Sequence, residues 1–582
     1  MDRCLFFLVL FFAFLSVYSQ DIDENIKTQQ ITVSKSYTPE LSDITKIRSL
    51  ISINDMLVSN KVTVTYSLIE VPVVSTFIPK KASPLTLKRN NTDQSNFNSQ
   101  FDFGLGNKGQ LNIDLSSHID VDRSQKIGID IININYGNIS STKISSDESR
   151  FVFGIDHVFS SQKAQSTNKI VVNQHIVNYY GIDENSSVLS DQLLLERLNT
   201  KQSRNRINLL SDWKIYNSVF KEAKLNFVFL NDSFGSKEEK IDFSLDVIIP
   251  FFRMKFLISP NFSHVNTFFK EEYFNQNSLR STYSKFETLF QFGNIENKFK
   301  YQFGARFNYL FEQSNTLTPD FLITPKLMMA YGLNNSDFQP YVIIDGGLKI
   351  NSYSFLSNIN PYVAPTLNII PTQNLYNGKI GIKSSFDSGL ELNFGSHFQK
   401  QLNYPLFNRY AYDSGLDDQG YRLANSFGLI YDDIIQHGIF GNASIGFGKE
   451  NLFRFSFFQY NYKNNRVPHL WNLPEFRAKA DLNINVSNNL NINLKSIMTG
   501  KRPVAYKKVF LNQDPENSPT ELKILSQITQ LKMQINYRLS SQWQTYIRSQ
   551  FNFGKENMNW DYYFLNQNLF LAGVRYGFNL SF

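Results

Sequence analysis

Apolar and polar residues alternate through most of this chain, most clearly at its end. Over the last thirteen residues, every second position counted back from the terminus is apolar, and polar or small residues fill the positions between. A two-residue period is that of a β-strand with one apolar face. We predict a strand that closes a membrane β-barrel and meets lipid through Phe570, Ala572, Val574, Tyr576, Phe578, Leu580 and Phe582.

The same period begins at Phe97 and returns many times. Apolar residues alternate on both sides of a glycine-rich turn at 106–109, which predicts a hairpin. Tight turns are also predicted at 487–489 and 540–542, and they fit the short periplasmic side of a barrel. Further clear strands are predicted at 241–249, 299–309, 478–486 and 490–494.

Other connections are long, polar and rich in turn residues. Structureless loops of this length count against a soluble domain, whereas an outer-membrane barrel carries them on its external face. One of them has helical spacing over 188–198, which predicts a short helix. The predicted long loops are 182–205, 261–282, 401–420 and 501–523.

The predicted fold class is therefore all-β, a transmembrane antiparallel β-barrel of roughly 20 strands with a short N-terminal periplasmic extension. A soluble β-sandwich would also show alternation and turns. A strand as long as 299–309, with six aromatic or small apolar residues on one face, fits a tilted barrel wall better. No later stretch is long and apolar enough to predict a transmembrane helix.

The N-terminus predicts export. Arg3 precedes an apolar run of about twelve residues, and small residues follow it up to Ser19. We predict a signal peptide at 1–19, cleaved after Ser19, then a periplasmic extension at 20–93 and the barrel at 94–582. Cys4 lies inside the predicted signal peptide, so the mature chain has no cysteine for a disulfide or a thiolate metal site.

Charge and candidate chemistry narrow the function classes. The net charge of +7 is spread along the chain and is not concentrated on one segment, so no nucleic-acid partner is predicted. Seven histidines show no close metal-ligand spacing, and His118 and His157 are more simply read as lumen or loop residues. The adjacent carboxylates 417–418 and 432–433 do not form an acid–base pair. We predict no enzyme activity, no catalytic or metal site and no cofactor.

Several stretches resemble a pattern in Bacteroidota outer-membrane barrels, which look like the barrel of TonB-dependent receptors without the plug. The motifs are short and scattered over most of the mature chain. The resemblance implies an outer-membrane β-barrel and names no substrate. The stretches are 33–47, 351–365 with 376–384, 469–474 and 571–578.

The chain departs from full receptors at its N-terminus. A plug domain needs more than about a hundred residues before the first barrel strand. Fewer than eighty residues lie between the predicted signal peptide and that strand. Ile31 and Val33 belong to a four-residue stretch that could contact TonB, although a strand or docking segment is the simpler interpretation. The possible periplasmic docking residues are Ile31, Val33, Tyr37 and Pro39.

Two functions are compatible with this sequence. The barrel is either a receptor-like or porin-like conduit for solutes across the outer membrane, or a non-transporting subunit or scaffold of an outer-membrane assembly. An enzyme such as a lipid-modifying barrel is a distant third. The expected partners are outer-membrane lipid, the barrel-insertion machinery through the C-terminal strand, and possible protein partners in the periplasm or outer membrane.

Overall fold

A computed structural model gives the fold of the barrel region. The predicted signal peptide and extension, with Ile31, Val33, Tyr37 and Pro39, fall outside the described residues, so those predictions stay untested. The structure describes residues 97–139, 142–183, 186–190, 192–251, 254–311, 320–332, 338–412, 419–448, 450–507, 520–566 and 568–581.

The described strands form one large antiparallel sheet that closes into a barrel of 22 strands. Two segments interrupted at Tyr460 pair with the same neighbour and count as one strand, β17. The strands are β1 Ser99–Gly106, β2 Leu111–Asp120, β3 Gln125–Tyr136, β4 Glu148–Ser160, β5 Ala164–Asn178, β6 Lys201–Ile215, β7 Phe220–Asp232, β8 Lys237–Phe251, β9 Met254–Phe269, β10 Leu279–Asn294, β11 Phe299–Leu310, β12 Phe321–Tyr331, β13 Gln339–Lys349, β14 Thr372–Ser385, β15 Leu390–Arg409, β16 Phe427–Phe447, β17 Asn451–Gln459 with Asn461–Lys463, β18 Phe476–Asn485, β19 Leu490–Thr499, β20 Ile528–Arg538, β21 Trp543–Phe553 and β22 Leu569–Phe578.

Closure comes from the last strand pairing with the first. β22 pairs antiparallel with β21 on one side and with β1 on the other, and Val574 lies opposite Phe103. Every strand between them pairs with its neighbours in chain order. Every strand of this sheet has a neighbour on both sides, as lipid requires, and the shortest of these ladders pairs four residues of β12 with four of β13. The predicted fold class is confirmed, and the predicted strand number was close.

The two faces of the wall differ as the alternation predicts. On β10, Phe286 is 44% exposed and Phe290 is 38% exposed on the outer face. Lys285, Glu287 and Gln291 lie on the lumen face of the same strand and are less than 9% exposed. Because successive side chains of a strand point to opposite faces, one register gives the barrel an apolar outside and a polar inside.

The two ends of the barrel differ in the length of their connections. We call them the turn end and the loop end, and the first and last described residues lie at the turn end. Its connections are 121–124, 161–163, 216–219, 252–253, 295–298, 332–338, 386–389, 448–450, 486–489 and 539–542. The connections of the loop end are 107–110, 137–147, 179–200, 233–236, 270–278, 311–320, 350–371, 410–426, 464–475, 500–527 and 554–568.

Some predicted loops were wrong. Most of 261–282 is strand, because β9 continues to Phe269 and β10 begins at Leu279. Between Phe262 and Phe268 the outward side chains of β9 are the polar His264 and Asn266, and His264 bonds Ser284 across the strands at 2.8 Å, so the apolar period is interrupted although the ladder continues. β15 likewise runs to Arg409, and part of 501–523 is a hairpin of Arg502–Lys507 with Thr520–Leu525.

The hairpin predicted around 106–109 is confirmed, but its turn lies at the loop end. Lys108 and Gly109 both have positive φ, 52° and 67°, as a tight two-residue hairpin turn requires. The helix predicted over 188–198 appears as a 3-10 turn at Ser187–Ser190 and a helix, α1, at Gln192–Arg197. A second helix, α2, at Tyr353–Ile359 was not predicted. Among the described residues, no helix is long and apolar enough to cross a membrane.

The assignment of faces has a direct test on β11. Phe303 points outward and is 37% exposed, and its neighbour Gln302 points into the lumen. We expect Phe303→Arg to destabilise the barrel in lipid vesicles by about 2–4 kcal/mol, the cost of Arg near the bilayer midplane. Urea unfolding monitored by tryptophan fluorescence measures this change.

Gln302→Arg is the matched control. It introduces the same charge one residue away on the lumen face, where water solvates it, and we expect a change within about 0.5 kcal/mol. Equal losses for the two variants would contradict the assigned register.

Candidate functional site: a packed lid over a charged lumen

Four connections pack together at the loop end, and we call this layer the lid: 179–200, 350–371, 410–426 and 554–568. The connection 350–371 lies at its centre. It leaves β13, crosses into the lumen and returns to β14. Tyr353, Leu356, Val363 and Leu367 have no exposed surface, which is rare in a barrel connection. They share one cluster with Tyr180, Phe269, Phe407, Phe427, Trp560 and Tyr563, which come from other strands and loops.

Helix α2 begins at the wall of the barrel through a buried carboxylate. The Ser352 side chain caps the helix by accepting from the backbone N–H of Phe355. Glu238, the second residue of β8, has no exposed surface and accepts from the N–H groups of Tyr353 and Ser354. A carboxylate at a helix N-terminus satisfies unpaired donors and complements the helix dipole. The contact therefore fixes the helix to β8.

Arg204 on β6 is the second wall anchor of the lid. Its guanidinium donates to the hydroxyl of Tyr353 at 3.1 Å and to the carbonyls of Pro361 and Val363 at 2.7 and 3.2 Å. The Tyr353 hydroxyl in turn donates to Asp232 on β7 at 2.9 Å. Three neighbouring strands, β6, β7 and β8, thus hold one end of the lid through charged side chains.

Stacked tyrosines join the lid to other loops near its centre. The rings of Tyr362 and Tyr563 stack with centroids 3.5 Å apart and planes 17° apart. Tyr180 meets Tyr563 edge to face at 4.8 Å, and the Tyr563 hydroxyl donates to the Asn425 carbonyl. Aromatic pairs of this kind contribute about 0.5–1.5 kcal/mol each beyond burial. Connections 179–200, 350–371, 410–426 and 554–568 therefore form one unit.

A buried ion pair anchors the other loops of the lid. Arg409 at the end of β15 is 5% exposed and donates to Asp561, which has no exposed surface, at 2.9 Å. Arg409 also donates to the Gly181 carbonyl at 2.8 Å, and Lys523 donates to the second Asp561 oxygen at 2.9 Å. A buried pair fixes geometry when further hydrogen bonds complete it, as they do here.

Burial in the lid shifts the titration of its tyrosines. Burial is the largest cause in each case, and it raises the pKa values of Tyr179, Tyr362 and Tyr563 above the usual value near 10. It raises the pKa of Tyr421 to about 12, although the neighbouring Arg422 guanidinium partly opposes the shift. The lid is therefore built with neutral tyrosines.

A charged chamber of about 420 Å³ lies on the lumen wall where the lid leaves β13. Lys285 pairs with Glu287 at 2.7 Å, and Arg306 bridges Glu287 and Asp345. Lys326 reaches Asp345 at 2.6 Å. These ion pairs cross β10 to β13. The chamber lining contains four cationic side chains and three carboxylates, so its excess of positive charge is small.

The structure does not bring the histidines into a site. His157 lies on the outer face and contacts Gln125 at 3.2 Å, while His118 lies apart from it on β2. In the described part of the chain, no group of three or more His, Cys, Asp or Glu side chains could hold a metal ion. Apolar packing, hydrogen bonds and ion pairs hold the lid and the chamber together.

The residues predicted for the last strand lie as follows. Phe570 and Val574 face outward and are 45% and 39% exposed, and Ala572 is also exposed. Tyr576 packs against Trp543 with ring centroids 4.6 Å apart. Leu580 lies beyond the strand and is exposed. Phe582 falls outside the described residues.

Sequence reasoning missed several residues that organise the lid. Asp432, considered from the sequence only as part of a rejected acid–base pair, has no exposed surface and accepts from the backbone N–H groups of Arg466 and Val467. It orders the start of the connection 464–475. The only sequence signal for the burial of Asp432 is its position next to the apolar residues of a strand. The partners of Glu238 and Arg204 are more than a hundred residues away in the chain.

Comparison with known proteins adds evidence on the fold. No protein-family model and no curated protein sequence matches the chain. Solved structures do. The siderophore receptor PirA from Acinetobacter baumannii matches with a TM-score of 0.58 and 10% identity over 82% of this chain and 80% of that chain. The pyoverdine receptor FpvA from Pseudomonas aeruginosa matches with a TM-score of 0.59 and 9% identity over 83% and 78%.

The FrpB iron transporter from Neisseria meningitidis is a third such structure, with a TM-score of 0.58 and 10% identity over 82% of this chain and 81% of that chain. The chain has the barrel fold of these outer-membrane receptors. At such identities the likeness concerns the fold alone. The three similar proteins are receptors or transporters and not enzymes.

The Tyr353 hydroxyl tests how the lid is held. We expect Tyr353→Phe to lower the free energy of local opening of 350–371 by about 1–3 kcal/mol, because Arg204 and Asp232 lose a buried hydrogen-bond partner. Hydrogen exchange of the amides in 350–371 measures the change.

Tyr309→Phe is the matched control, since Tyr309 faces outward on β11 and is 44% exposed. We expect it to leave exchange in the lid unchanged. Unchanged exchange in the Tyr353→Phe variant would show that the hydroxyl does not hold the lid.

The raised tyrosine pKa values predict how the lid responds to alkali. A folded-state pKa above the unfolded value contributes stability that is complete below about pH 10 and is lost as pH rises through the folded pKa. We expect the lid to loosen between about pH 10 and 12, where Tyr421 ionises. Spectrophotometric titration of tyrosinate should show some tyrosines that ionise well above pH 10. Tyr421→Phe should remove one of these ionisations. A single titration near pH 10 would contradict the burial.

Proposed function

We propose that this protein is an outer-membrane barrel that conducts solutes and is gated at its loop end by the lid. The observation that carries the proposal is a closed 22-strand wall with a polar lumen whose loop end is covered by a separately anchored layer. The similarity to outer-membrane receptors and an iron transporter supports it.

The orientation follows from the connections. Outer-membrane barrels carry short turns on the periplasmic side and long loops outside. We therefore place the turn end, with the start of the barrel and its C-terminus, in the periplasm, and the lid at the cell surface. The predicted signal peptide at 1–19 and the extension at 20–93 agree with this orientation. In this proposal the C-terminal strand is the part read by the barrel-insertion machinery.

Anchoring to the wall is what makes the lid a gate. Its contacts to β6, β8 and β15 are made by side chains, and the strands are held by their own backbone ladders. Opening the lid would require release of Arg204, Glu238 and Arg409 and of the backbone bridge between 362–364 and Phe427 at the start of β16. It would leave the ladders of the wall intact. The lid can therefore move as a unit.

A scaffold without transport is the second candidate, and the closed lid favours it. Buried polar anchors and stacked tyrosines hold the loops together, as a rigid docking surface requires. In that case the extension at 20–93, with Ile31, Val33, Tyr37 and Pro39, and the outer loops would bind partner proteins. A TonB-coupled mechanism would instead use 31–34 as the contact.

Removing the central connection of the lid distinguishes the conduit from the scaffold. Lys349 and Thr372 lie directly opposite each other on adjacent strands, so a Gly-Ser linker of about four residues can replace 350–371. We expect the linker variant to give stepwise currents in a planar bilayer, and the wild type to open rarely.

The control replaces the turn 486–489, at the opposite end of the barrel, with a Gly-Ser linker of the same length. We expect it to behave as the wild type. A linker variant that folds, judged by heat-modifiable migration in gels, yet stays silent would contradict the conduit. Co-purification of the silent wild type with fixed partners would then identify the scaffold.

A further inference from the structure

A second cavity, of about 310 Å³, lies in the lumen on the wall that includes the closing seam. It is lined by side chains of β2, β3 and β19 to β22. Its polar lining contains three cationic side chains and several amides, including Lys495, Lys532, Arg548, Asn493 and Gln534. This composition differs from that of the chamber under the lid, where three carboxylates accompany four cations.

Two lysines face each other across this cavity. Lys495 on β19 and Lys532 on β20 are directly opposite in the strand register, and both point into the lumen. Like charges directly opposite on neighbouring strands destabilise a sheet. Alternation alone does not require this arrangement, because any polar residue would satisfy the lumen face.

Carboxylates near the lysines are engaged elsewhere. Asp481 lies opposite Lys495 on the other side, but its carboxylate pairs with Lys479 at 3.0 Å. Asp102 pairs with Arg575 at 2.9 Å and reaches Arg548 at 3.6 Å. In the described part of the chain, neither Lys495 nor Lys532 has a carboxylate within ion-pair distance. The cavity therefore carries an unbalanced positive charge.

The remaining lining is suited to oxygen ligands. Arg548 is held in place by a bond from its Nε to the Gln534 side chain at 3.0 Å. Asn493 and Gln550 add side-chain amides to the same cavity, and Lys532 is exposed to the lumen. Lysine, arginine and amide N–H groups are donors that match anionic oxygens.

We propose that this cavity is a binding site for a soluble multivalent oxyanion, with Lys495 and Lys532 as its charged ligands. A bound phosphate-bearing or carboxylate-bearing solute relieves the repulsion between the two lysines by lying between them. Arg548 and the neighbouring amides complete its coordination. The site does not depend on conduction, since binding needs access to the lumen from one end alone.

Titration calorimetry of the full mature chain in detergent micelles tests the site. The probes are inorganic pyrophosphate and citrate, which separate phosphoryl from carboxylate recognition. We expect at least one of them to bind and the Lys495→Gln, Lys532→Gln double variant to bind it about tenfold or more weakly, because two charge-assisted hydrogen bonds are lost. Failure of both probes to bind the wild type would overturn the proposal.

The matched control is Lys379→Gln with Lys383→Gln. These lysines also face the lumen and are exposed, but they lie on β14 and do not line the cavity. We expect the control to bind the probe within about twofold of the wild type, because the built site is intact. An equal loss in both double variants would show a diffuse charge effect and overturn the assigned site.

Lys532→Glu gives an independent readout. It places opposite charges face to face with Lys495 and lies opposite the neutral Gln550 on its other side, so we expect it to abolish binding and to raise the temperature at which heat-modifiable migration is lost. Lowered thermal stability with retained binding would contradict the repulsive pair on which the site is inferred.

Discussion

Closure of the backbone ladder is the constraint on which the rest of this structure depends. Hydrocarbon offers no water to an unpaired N–H or carbonyl, so a sheet in a membrane needs a partner for its first and last strands. Here β22 supplies it by pairing with β1 along Ser99 to Gly106. Once the ladder is closed, the two-residue period of each strand determines which side chains face lipid and which face the lumen. A shift of one residue at the seam would turn Phe103 and Val574 inward and expose Asp102 and Arg575 to lipid.

This dependence explains why the wall was predictable from sequence. Outward positions such as Phe303 and Phe290 must be apolar over the height of the membrane, and lumen positions such as Gln302 and Gln291 are free to be polar. The alternation is a local property and is visible in a few residues. It failed where the constraint ends, above the apolar band. There Ser284 and His264 are outward but polar, and a strand was read as a loop.

The lid was not predictable in the same way. Its contacts join residues that are far apart in the chain, such as Arg204 with Pro361 and Arg409 with Asp561. No period marks them, because each anchor is a single polar residue at a lumen position where many polar residues are allowed. The short stretches 351–365 and 469–474 stood out as a resemblance, and both prove to be packed parts of the loop end. Trp471 packs against Leu406 and Ile434 in a cluster of its own.

The mixture of contacts in the lid bears on how it can open. Its centre is apolar and aromatic, which holds the loops to one another. Its contacts to the wall combine charged groups such as Glu238, Arg204 and Arg409 with strand rings such as those of Phe269 and Phe407. Charged groups transferred from a buried contact into a water-filled lumen recover their hydration, whereas apolar rings do not. Hydration of the charged anchors therefore offsets part of the cost of separating lid from wall, whereas separation of the stacked rings inside the lid has no such offset. The physical chemistry favours movement of the loops as one body, with strands and loop core both preserved.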